Sequence, residues 1–294
     1  MLKSSNAEYK NFQVETNGSE NETLEESFNG KKIGYKFFTI IFDRYLNGET
    51  EVTQIKQLII LYEDNKKLYL IIDKNTGAKT FLRLVLGFTE NKKLEQVSNN
   101  VGSNFIIWLL YKVYNKEVVF ELDNKKLILN TIIGFKGDTD DKLSTITASG
   151  DSLINILSTL SFLLESNLLN QISLRIEYAD HKNVELKIDI NDTLGVSIEK
   201  YRGTFKKDKY KGYSQLQQET LIYLLIYIEV FPIIKLWYSE SLEDKEEIED
   251  TESDVGTKVK WNKLEHIKFL EQVARDLTDK VNDKVSILNT RISD

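Results

Sequence analysis

The chain has no cysteine in its 294 residues, which excludes a disulfide framework, a thiolate nucleophile and cysteine-ligated zinc. Histidine is scarce, and neither of the two, His181 and His266, has another four residues away, so a paired-histidine zinc motif has no place. A basic excess is also missing. The net charge of -7 argues against a surface that is basic all over, while a local patch stays compatible with it. No apolar run reaches the about 20 residues of a membrane span: the most apolar stretch, residues 217–238, is cut by Glu229, Pro232 and Lys235. The opening MLKSSNAEYKNF lacks the apolar core of a signal peptide, so a cytoplasmic location is expected. No repeat with a period of 20 to 50 residues is visible.

What is present suffices for a core, since 41% of residues are apolar. Residues 1–30 are polar and read as a disordered tail. Residues 31–238 read as an α+β core domain with one mostly antiparallel sheet covered by helices. Its strands are YKFFTIIF from Tyr35, hairpins across residues 64–66 and across Asp123-Asn124, the alternating run 172–190, and a further strand at 194–198. Helices are expected at 76–88 capped by Thr76, at 102–114 capped by Ser103 or Asn104, at 153–165, and at 217–238. In the last of these, apolar residues occupy every face from Leu221 to Ile228, the pattern of a helix covered on all sides. Pro232 lacks an amide hydrogen and predicts a kink or break at Phe231, with 233–238 as a separate turn. Residues 239–258 form an acidic linker. Residues 259–294 form a long amphipathic helix of about 45 Å at 1.5 Å per residue. Its stripe of Leu270, Ala274, Leu277, Val281, Val285, Leu288 and Ile292 predicts oligomerisation or docking of a helical partner.

Most candidate chemistry is better explained as structure. Glu185 and Lys187, with Asp180 upstream, look like the acidic and lysine half-motif of a metal-dependent nuclease. Yet Glu185, Lys187 and Asp189 share a face simply because a half-buried strand alternates. Arg175 and His181 have the spacing of some helical ribonucleases but fall on a strand and a turn. His266 reads as a surface residue. Asp138, Asp140 and Asp141 lack the glycine and terminal glutamate of a calcium loop. No metal or cofactor is expected. The segment EKYRGTFKKDKYKGY is different: Lys200, Arg202, Lys206, Lys207, Lys209 and Lys211 can neutralise phosphates while Tyr201, Phe205, Tyr210 and Tyr213 pack on sugar or base. A soluble connector is the competing reading.

The element order from about Leu68 to Leu242 resembles the C-terminal half of RdgC, a recombination-associated family that forms rings around duplex DNA. The match is sharpest in VGSNFIIWLLYKVY, where Gly102, Phe105, Ile106, Trp108 and Leu109 follow that family's Gly-x-x-Phe-Leu-x-Trp-Leu helix. The region before Gly102 is shorter than in the family, and the C-terminal helix is additional. The resemblance implies a non-enzymatic, sequence-independent duplex-DNA-binding protein, usually dimeric, acting in recombination control. The alternatives are an interaction or oligomerisation component of a multi-protein defence or toxin-control system and, third, a metal-dependent nuclease.

Overall fold

The computed structural model describes residues 2–4, 7–16, 22–46, 52–73, 77–87, 94–139, 145–149, 161, 164, 166–242 and 261–293. The fold is α+β with two antiparallel sheets, where the sequence had suggested one. The chain divides into two compact units: Met1–Val97 with Gly212–Glu229, and Ser98–Lys211 with Val230–Asp294. The expected core domain of residues 31–238 draws on both units.

The first unit is built on β1 (Leu2–Ser4), β2 (Ala7–Thr16), β3 (Leu24–Phe28), β4 (Lys31–Leu46), β5 (Val52–Asp64) and β6 (Lys67–Ile72). Their order is β1-β2-β4-β5-β6, with β3 also paired to β4. Residues 1–30, read as a disordered tail, therefore supply three strands. Their composition is polar because β2 and β3 share one edge of β4, where backbone pairing does most of the work and few side chains enter the core. Strand β4 buries Ile33, Tyr35 and Phe37 on one face, then Ile40 and Phe42 on the other. A strand buried on both faces reads as a continuous apolar run. Helix α1 (Ala78–Val85) covers the second face, placing Phe81 and Leu82 against Ile40, Phe42 and Ile59. It starts after Gly77, which sits in the left-handed region at φ 70. The expected cap Thr76 lies outside the described residues.

The second unit's sheet comprises β7 (Val119–Leu122), β8 (Lys125–Thr139), β9 (Thr145–Ser149), β10 (Ser166–Tyr178), β11 (His181–Asp189) and β12 (Thr193–Ser197). Its order is β12-β11-β10-β8-β7, with β9 on β8. Helix α2 (Ser103–Tyr114) packs on β10 and β8. Its cap is Gly102, not Ser103 or Asn104. Ser103 instead accepts the Leu169 N–H at 3.0 Å, tying the helix start to β10. The expected helix at 153–165 falls almost wholly outside the described residues.

Residues 215–242 are helical throughout: α3 (Gln215–Leu225), a π-helical turn (Ile226–Val230) and α4 (Phe231–Leu242). Ser214 and Gln217 form a reciprocal capping box at the start. Pro232 does not break the helix, and 233–238 is no separate turn. The wider turn just before it accommodates the lost hydrogen bond and the ring, and the division between the units falls within that turn. By length and composition this segment could cross a membrane, but 67% of its most apolar window is buried inside the protein. Helix α5 (Lys263–Ser293) starts four residues later than expected.

Candidate nucleic-acid interface

The basic segment lies in the second unit and is folded, not a loose connector. Strands β10 and β11 join through a tight turn in which Ala179 has φ 48 and Tyr178 pairs with His181. Segment 201–211 crosses this turn. Lys182 and Arg202 exchange backbone hydrogen bonds, at 2.6 Å from the Lys182 N–H and 2.9 Å from the Arg202 N–H. Gly203 makes the crossing possible, because a Cβ there would stand 2.9 Å from the His181 Cα and 3.0 Å from the Asp180 carbonyl oxygen. Two short 3-10 turns follow, Thr204–Lys206 and Asp208–Tyr210.

Aromatic side chains pin these turns from below. Tyr201, Phe205 and Tyr210 are all buried. The Tyr201 hydroxyl lies 2.6 Å from Nδ1 of buried His181 and accepts the Phe205 N–H at 3.4 Å. Phe205 packs against His181 and meets Tyr210 edge to face at 5.3 Å. Burial pushes the Tyr201 phenol well above its ordinary range, so it stays neutral. Tyr201, Phe205 and Tyr210, expected to stack on sugar or base, are instead buried in the protein because the chain folds back over the β10–β11 turn. Tyr213 alone of the four is only half-buried.

The cations point outward. Lys200, Arg202, Lys206, Lys207, Lys209 and Lys211 are all exposed. Lys206 lies over the Tyr201 ring at 5.8 Å and Lys209 over Tyr210 at 4.8 Å, also donating to its hydroxyl at 3.0 Å. Lys207 pairs with Asp180 at 3.0 Å and holds that exposed carboxyl below its usual range. Lys211 pairs with Asp208, and Lys200 stands 3.4 Å from Glu185. Within 199–211 six cations accompany Glu199 and Asp208, and Asp180 and Glu185 pair with them from the strands below, so the knob keeps a small basic excess on an acidic protein.

The competing sites come apart in the structure. Glu185 faces Arg175 across the β10–β11 register and pairs with it at 2.9 Å. Asp189 accepts the Asn191 backbone and side-chain N–H groups at 2.8 and 2.7 Å. Lys187 lays its stem on Gly195. Each nuclease candidate thus has a local structural task. Asp138 accepts from Asn170 at 2.7 Å, while Asp140 and Asp141 lie outside the described residues. Among the described residues no group of three His, Cys, Asp or Glu is placed to hold a metal. His266 is not a plain surface residue: it stacks on Trp261 at 5.9 Å, and burial lowers its pKa.

The C-terminal helix docks by another face than the expected stripe. Trp261, Phe269 and Val273 are buried. Tyr111 of α2 packs on Trp261 at 4.9 Å and on Phe269 at 5.7 Å. Tyr114 donates to Asp276, and Gln272 donates to Asn115 at 3.2 Å. Of the expected oligomerisation residues, Leu270, Ala274 and Leu277 are half-buried, whereas Val281, Val285 and Leu288 are exposed. Phe105, Ile106, Trp108 and Leu109, which carry the RdgC resemblance, are buried in α2 and present nothing to a ligand. No protein-family model, curated protein or solved structure matches this chain.

Proposed function

We propose that this protein binds nucleic acid, duplex DNA first of all, through its phosphates and without sequence preference, at the knob formed by Lys200, Arg202, Lys206, Lys207, Lys209 and Lys211. One observation carries the reading: six exposed cations ride on turns fixed by buried Tyr201, Phe205 and Tyr210. Fixed cations lose less freedom on binding than a mobile run would. With the rings buried, phosphate attraction is the interaction this knob offers, and it carries no sequence information. The role is non-enzymatic. The RdgC resemblance supports a place in recombination control or a related nucleic-acid process.

The test is fluorescence anisotropy with two labelled duplexes of unrelated sequence at two salt concentrations. Equal affinities and a steep salt dependence are expected. Replacing Lys206, Lys207, Lys209 and Lys211 together by Ala should flatten the log-log salt slope by about 0.9 per lost contact, leaving the melting temperature unchanged. Absence of binding at low salt, or an unchanged slope in the variant, overturns the proposal. A second reading, an interaction component of a multi-protein system, rests on the exposed stripe of α5.

A further inference from the structure

Helix α5 has two apolar faces, and among the described residues its own unit uses one of them. Phe269 and Val273 turn inward with Trp261, while Leu264, Ile267, Val281, Val285 and Leu288 are 45% to 58% exposed. These five, with Ala274 between them, fall on one line stepping by three and four residues, a seam about 36 Å long at 1.5 Å per residue. Glu271 and Thr278 occupy the two polar steps of that line.

The border of the seam has one sign. Lys263, Lys268, Arg275 and Lys284 flank it and are exposed. Asn282, Asn289, Leu270 and Leu277 fill the other flanking positions, so none between 263 and 289 holds a carboxylate. The remaining acids of this stretch, Glu265, Asp276, Asp279 and Asp283, lie off the border. Lys268 pairs with Glu265 at 2.7 Å, within its own helix.

That charge pattern selects among occupants. In a two-helix seam the flanking residues of one helix face those of the other and set partner choice. A second copy would set cation against cation in either orientation, which works against pairing. We infer that the seam from Leu264 to Leu288 docks a separate helical partner whose apolar stripe is bordered by Glu and Asp, with a cation opposite Glu271. This is independent of nucleic-acid binding at the knob.

The test uses the full chain and a labelled synthetic four-heptad peptide with Ile and Leu in the seam and Glu at every flanking position. The same peptide with Lys at those positions, and a scrambled Glu peptide, are the controls. The Glu peptide should bind at least tenfold more tightly than either control. V281D/L288D, at exposed positions, should weaken it at least tenfold, and K206A/K207A/K209A/K211A should leave it unchanged. R275E/K284E should reverse the preference toward the Lys peptide, which keeps the proposal testable even if V281D/L288D misfolds. Equal binding of the scrambled peptide, loss only in the knob variant, or no binding of the Glu peptide overturns it. So does a peptide-free mass twice the monomer in light scattering that V281D/L288D abolishes, which would give the seam to a second copy.

Discussion

In the first unit's sheet, β4 and β5 bury Tyr35, Phe37, Ile60 and Tyr62 on one face and Ile40, Phe42 and Ile59 on the other. In the second, β10 and β11 bury Leu174, Ile176, Val184 and Leu186 on one face and turn Arg175, Glu185 and Lys187 the other way. A sheet covered on both sides is a scaffold with only its edges to offer. The second sheet turns a polar, half-buried face away from its apolar one, and at its rim the basic knob is anchored, with Lys200 near Glu185 and Arg202 paired to Lys182.

The strongest test of the covered face in the second unit is Trp108. It is fully buried, edge to face with Trp237 at 5.3 Å and close to Phe105 at 5.8 Å. Trp108→Ala should cost about 3 to 5 kcal/mol in denaturant unfolding. A loss under about 1 kcal/mol would mean that α2 is not the cover of this sheet. The opposite face should behave otherwise. Arg175→Met leaves Glu185, among the described residues, with Lys200 as its remaining ion-pair partner, at a cost of about 1 to 2 kcal/mol. Replacing Arg175 and Glu185 together by Met should return to within about 1 kcal/mol of the parent. A double variant as damaged as the single one would erase the distinction between the two faces.

How much of this was legible in the sequence depends on the element. The tetrapeptide Asp-Asn-Lys-Lys occurs at 64–67 and again at 123–126, and both hairpins could be read from it. Their registers could not. Asn65 and Lys66 take positive φ in the first, Asp123 and Asn124 in the second, so the same letters turn one residue out of step. The first register sets Tyr62 opposite Tyr69, stacked at 5.2 Å, and the second sets Phe120 opposite Leu127. Which side chains reach the buried face decides the register, and that is tertiary information. The knob shows the same split. Its six cations are a visible run, but the burial of Tyr201, Phe205 and Tyr210 depends on clearance at Gly203 over a turn twenty residues earlier. In α5 a stripe was visible, while the face that docks, Phe269 and Val273, was chosen by Tyr111 and Tyr114 on a distant helix.

The doubly covered sheet can be sharpened with one hydroxyl. Thr39 is fully buried on β4, and its Oγ1 has no hydrogen-bond partner among the described residues. A buried hydroxyl without a partner carries its desolvation cost unrelieved. Thr39→Val keeps the shape and should raise stability by about 1 kcal/mol. A loss instead would mean that the hydroxyl is satisfied and this face is wetter than the second sheet's covered face.

The smallest effect concerns a carboxylate in the first unit. Glu219 on α3 is half-buried, and burial, then the charge of Asp73, raises its pKa. Asp73 is itself held at the end of β6, where one carboxylate oxygen accepts the Leu58 N–H at 2.9 Å. A raised folded pKa means that the native state holds this proton more tightly than the unfolded chain does. The stability from that proton is fully present below the unfolded value near 4.5 and is lost as pH rises through the higher folded value. At pH 7 the ionised Glu219 is therefore at a disadvantage that Glu219→Gln removes. The variant should melt slightly higher than the parent at pH 7, and the difference should vanish as pH falls below about 4. A variant that melts lower at pH 7 would show that Glu219 is stabilised as an anion. The first unit would then keep a partnered charge beside its sheet, as the second does with Arg175 and Glu185, and the contrast between the two sheets would narrow.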